Sequence, residues 1–167
     1  MQRCHLLYIL LYVLTVIANP VQAEDYHYTR SDGRKATIAL RAKKDSTWVI
    51  EHRVGRKKVS EWVLKHPVFH FCCGDMTGDS IPEIAVGVVK KTRYSQVEAP
   101  RLFLFKLFEE ELIRPLWLSS RLCGLLQDFS IEPDGSLLTK ETKPDGSTIR
   151  VRYRTAGFGL KVITSDH

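Results

Sequence analysis

Beyond residue 23 the sequence holds no apolar run approaching the roughly 20 residues of a membrane-spanning helix, which excludes a helical span there. Little recurs at the 3.6-residue period, which excludes a helical bundle. There is no P-loop, Rossmann glycine fingerprint, H-E-x-x-H or G-x-S-x-G, so none of these signatures assigns a reaction. Cysteine is sparse: after Cys4 only Cys72, Cys73 and Cys123 remain, and no set of ligands has the spacing of a zinc site. The last asparagine is Asn19.

What is present begins with a leader. Arg3 gives a positive start, Cys4 to Ala18 is almost unbrokenly apolar, Asn19-Pro20 breaks a helix, and Val21-Gln22-Ala23 is a small-residue cleavage site. Residues 1–23 therefore read as a secretory signal peptide with a helical core. Residues 24–167 read as one exported domain, periplasmic or extracellular, with no transmembrane span after cleavage. Removing Arg3 takes the formal charge from +6 to +5.

That surplus is spread over Lys43, Lys44, Arg56–Lys58, Lys90, Lys91, Arg150, Arg152 and Arg154. Alternating strand charges make a solvated sheet face. The sharper reading is weak attraction to an acidic glycan, an anionic membrane surface or nucleic acid, and no nucleic-acid motif supports the last. Export permits a disulfide among Cys72, Cys73 and Cys123, but an odd count leaves one sulfur over; free, buried thiols fit equally well.

Short alternating apolar segments predict strands over 36–41, 47–53, 57–64, 68–73, 84–90, 102–107, 112–117, 129–132, 136–141, 148–154 and 159–163. Asp32-Gly33, Gly55, Pro133-Asp134-Gly135, Pro144-Asp145-Gly146 and Gly157 mark turns between them. The Lys91–Arg101 stretch reads as the longest irregular loop, and Ser119–Gln127 as a short helical turn. The fold class is all-β: an antiparallel meander, partial β-propeller-like or a small sandwich.

One loop is chemically informative. Between two strands, Asp75, Thr77, Asp79 and Glu83 place side-chain oxygens as a hard cation such as calcium requires, and Gly78 eases the bend. It is no EF-hand: Ser80 stands at that loop's glycine and Val86 at its bidentate glutamate. The alternative is a loop that keeps only its turn geometry. The pattern resembles the calcium loop of FG-GAP or VCBS-type repeats, as in integrin alpha-chain propellers and many exported bacterial proteins, over about residues 68–132. Asp75, Asp79 and Glu83 match acidic positions and Gly78 the central glycine, while Thr77 departs from the usual Asp or Asn. The resemblance implies a structural or ligand-binding module rather than a reaction. At about 40–45 residues per four-stranded blade, residues 24–167 make little more than three. The expected second loop near Ser130–Gly135 lacks alternating oxygens and reads as a plain hairpin.

Enzyme readings are thinner. Gly78-Asp79-Ser80-Ile81 resembles the nucleophile block of GDSL hydrolases, with Ser80 as nucleophile. That family's Asn donor is missing, and Asp166-His167 lacks its D-x-x-H spacing. His66 and His70 read as satisfied or exposed histidines, and Trp48, Trp62, Phe69, Phe71, Phe103, Phe105 and Trp117 as core. The sequence thus predicts a non-enzymatic exported β-module that binds a protein or glycan surface, stiffened by a cation loop. A small secreted hydrolase is the alternative.

Overall fold

The structure is a computed structural model that describes residues 24–44, 47–92, 95–118, 122–157 and 159–166; residues 1–23, expected to be a signal peptide, lie outside the described residues. Twelve strands form three four-stranded antiparallel sheets, each a meander of consecutive strands. The first sheet holds β1 (Glu24–Thr29), β2 (Lys35–Ala42), β3 (Trp48–Val54) and β4 (Lys57–Leu64). The second holds β5 (Val68–Gly74), β6 (Glu83–Thr92), β7 (Ser95–Phe108) and β8 (Leu112–Leu118). The third holds β9 (Leu125–Ile131), β10 (Leu137–Thr142), β11 (Thr148–Ala156) and β12 (Gly159–Asp166). Among the described residues no helix is long and apolar enough to cross a membrane.

The sheets stack face to face in chain order. One core joins the first and second sheets through Ile38, Leu40 and Ile50 against Ile84, Val86, Phe103 and Phe105. Another joins the second and third through Ala85, Leu102 and Leu104 against Leu126, Phe129, Leu137, Ile149 and Val151. Period-2 alternation explains this: successive residues of β6 and β7 point to opposite faces, and both faces are covered. That is why Ile84-Ala85-Val86-Gly87-Val88 reads as one continuous apolar run. Burying each large aliphatic or aromatic side chain there contributes about 1.5–3 kcal/mol. Between sheets, β5 meets β1 and β9, β7 meets β9 and β4 meets β8, so the all-β antiparallel meander is packed as layers.

The two end faces of the stack are charged. On the first sheet Arg41 pairs with Asp25 at 2.5 Å, Arg53 with Glu51 at 3.1 Å and Lys58 with Glu61 at 2.6 Å. On the third, Ile149, Val151 and Tyr153 point inward while Arg150, Arg152 and Arg154 point outward.

The five glycines expected in turns all have positive φ. Two turns repeat Pro-Asp-Gly-Ser, and in each the aspartate Oδ1 accepts from the serine N–H and hydroxyl. Three local expectations need correction. Most of the Lys91–Arg101 stretch is strand: β6 runs to Thr92 and β7 starts at Ser95, with Val89 opposite Pro100. Pro100 lies past the end of the β7–β8 pairing, where a missing N–H takes nothing from that ladder. The expected helical turn is instead the approach to β9, which begins at Leu125, while residues 119–121 lie outside the described residues. Strand β1 was not expected, because its one apolar face is carried only by Tyr26 and Tyr28.

Candidate functional site

The Asp75–Glu83 loop leaves the end of β5 and returns at the start of β6, so all four proposed ligands sit on one connection. Asp75 Oδ1 accepts the Gly78 N–H at 2.6 Å and Oδ2 the Ser80 N–H at 2.8 Å. Asp79 Oδ1 accepts the Ile81 N–H at 2.9 Å. Glu83, 3% exposed, accepts from the Met76 N–H at 2.7 Å and the Thr77 hydroxyl at 3.2 Å. Burial pushes the Glu83 carboxyl up to about 7 against the pull of those two donors, and Asp79 and Asp75 add to the rise.

Each carboxylate is turned to a backbone N–H, and among the described residues no three of His, Cys, Asp and Glu converge where a metal could sit. What the loop does is clasp the second sheet to the third. The Met76 side chain is buried in the core between them, its carbonyl accepts the Thr155 hydroxyl at 3.2 Å, and the Asp75 carbonyl lies hard against Gly135. Ser80, the residue of the hydrolase reading, is an exposed turn residue at φ 65.

Cys72, Cys73 and Cys123 are free thiols. Cys72 packs on the core shared with the third sheet and Cys73 on the core shared with the first, as strand alternation requires. Burial pushes the Cys72 thiol up to about 12 and Cys73 well above its ordinary value, so both stay protonated. His70 packs edge-on to Phe129, with Nε2 3.9 Å from Asp128. His66 packs edge-on to Phe103.

Sequence reasoning missed the outer face of the third sheet as a constructed surface. Register sets Asp128, Lys140 and Arg150 directly opposite one another across β9, β10 and β11, with Asp166 beyond on β12. The next row is Ser130, Leu138 and Arg152, and Lys161 faces Arg154 further along. A shallow concavity of about 230 Å³ lies on this face, lined by Asp128, Ser130, Leu138, Lys140 and Arg150 with the edges of Phe129 and Thr139. Arg152 is tied down, donating to the Ser136 hydroxyl with Asp134 3.6 Å away. The alternation of β11 was legible, but the strands that flank it were not.

Behind that face sits a buried polar knot. Glu141 accepts from the Thr139 hydroxyl at 2.6 Å, the Tyr153 hydroxyl at 2.8 Å and the Gly124 N–H, and the Tyr153 oxygen accepts the Cys123 N–H at 3.0 Å. These bonds fix the approach to β9. No protein-family model, curated protein or solved structure matches the chain.

Proposed function

We propose that this protein is an exported, non-enzymatic β-module that binds a protein or glycan surface through the outer face of its third sheet. The observation that carries this reading is the concavity on that face, where Lys140 and Arg150 stand side by side over Leu138. A hard cation such as calcium, held by Asp75, Thr77, Asp79 and Glu83, stiffens this module further, alongside the carboxylates of Asp75 and Glu83 that brace backbone N–H groups of the same loop. Four hydrogen-bonded strands joined by short turns hold the face in place, which limits the conformational entropy lost on binding.

The test is binding of the mature chain to a panel of purified glycans and surface proteins, with a Lys140→Ala/Arg150→Ala variant beside it. Binding that falls in the variant, with no turnover of ester or glycoside probes, is the expected result. Turnover lost in Ser80→Ala would replace this reading with the hydrolase one.

A further inference from the structure

Resting on the binding-module reading, we propose that the ligand of this face is an acidic glycan whose carboxylate or sulfate sits between Lys140 and Arg150. Directly opposed cations on neighbouring strands repel each other, and an anion seated between them relieves that repulsion. Among the described residues neither side chain has an ion pair, and both are exposed. Leu138 offers an apolar floor to the ring of a sugar, and Asp128 offers an acceptor for its hydroxyls. A second opposed pair, Arg154 and Lys161, lies four residues along β11, about 13 Å away. Two cation pairs at that separation suit anions repeated along a linear chain.

The acids on the face select the polymer. Asp128 stands opposite Lys140, and Asp134 lies beside Arg152. A continuous phosphate backbone would run over these carboxylates and be repelled. A glycan presents hydroxyls between its charges and can donate to them. The rings that line or back this face, Phe129 and Tyr153, are 4% and 3% exposed, so no base-stacking platform is presented.

The experiment titrates the mature chain with polygalacturonate, with uncharged dextran and with a single-stranded oligonucleotide, at low and at physiological salt. Polygalacturonate should bind, more weakly as salt rises, and Lys140→Gln/Arg150→Gln should lower its affinity about tenfold or more. Arg53→Gln/Lys58→Gln, which removes the same charge from the first sheet, should change it little. Melting curves of both variants check that they fold. Absence of polygalacturonate binding, equal or tighter binding of dextran or of the oligonucleotide, or full affinity in the Lys140/Arg150 variant would each overturn the proposal. Binding of dextran or of a protein through the same face would leave the module reading standing. Release of new reducing ends from polygalacturonate would instead overturn the non-enzymatic reading while keeping the ligand class.

Discussion

The N–H of Met76 donates to the Glu83 carboxylate at 2.7 Å, so the residue that plugs the core between the second and third sheets is held by the buried acid at the root of its own loop. Burial raises the Glu83 carboxyl from 4.5 to about 7 in the folded chain. Between those values the folded state binds the proton more tightly than the unfolded state does, so this group's contribution to stability is full below 4.5 and is lost as pH rises through 7. Glu83→Gln cannot titrate. The stability of the wild type relative to Glu83→Gln should fall steadily across that window in urea melts, and a flat difference would remove Glu83 as its source.

Asp75 and Asp79 each accept backbone N–H groups, and a carboxylate oxygen that accepts one N–H keeps a lone pair for a cation. A calcium ion held there should raise the melting temperature, an effect reversed by chelation and absent in Asp79→Ala. A melting curve of metal-loaded protein that chelator leaves unchanged would remove the cation from the loop.

At the opposite interface His52 joins the first sheet to the β7–β8 turn. Its Nδ1 donates to the Glu111 carbonyl at 2.9 Å and its Nε2 accepts from the Tyr28 hydroxyl at 2.9 Å, the pattern of a neutral ring. Burial lowers its pKa below 6.5, so its contribution to stability is present above that pH and lost as pH falls through the folded value. The sign is opposite to that of Glu83. Tyr28→Phe leaves a buried nitrogen without its donor and should cost about 1–3 kcal/mol at neutral pH, measured by urea unfolding.

Gly135 and Gly146 occupy equivalent positions in the two Pro-Asp-Gly-Ser turns, at φ 77 and 86. A Cβ on Gly146 meets nothing within 4 Å, whereas one on Gly135 would lie 2.7 Å from the Asp75 carbonyl oxygen. Gly146→Ala should carry only the left-handed backbone strain of about 1–2 kcal/mol. Gly135→Ala should be measurably worse, because the loop clasp must also shift. Equal losses would mean that the clasp adapts freely.

Thiol labelling of natively folded residues 24–167 should modify Cys123, which is exposed, well before Cys72 and Cys73. Both of the latter become reactive only on unfolding if burial is what protects them. Early labelling of Cys72 or Cys73 would place the opening of a core below global unfolding.

Strand positions were legible because Ile149-Arg150-Val151-Arg152-Tyr153-Arg154 and its like carry a period of two, and because aspartate-glycine turns punctuate them. The extended arm of β7 was not, since Gln96 and Glu98 carry no apolar alternation and Pro100 argues locally against a strand. The four oxygens of the Asp75–Glu83 loop were correctly placed on one connection. What they accept from could not be read, because a carboxylate serves a backbone N–H as well as a cation. The row Asp128–Lys140–Arg150 depends on register across three strands, which no single stretch of sequence reports.

The faces of the sheets differ in how many neighbours each one needs. A sheet that is apolar on both sides, like the second, demands a neighbour on each. A sheet that is apolar on one side and carries charged pairs on the other, like the first and the third, needs a neighbour on one side only. Replacing the outward arginines of β11 with valine would give the third sheet two apolar faces as well, and such a variant should self-associate as its concentration rises.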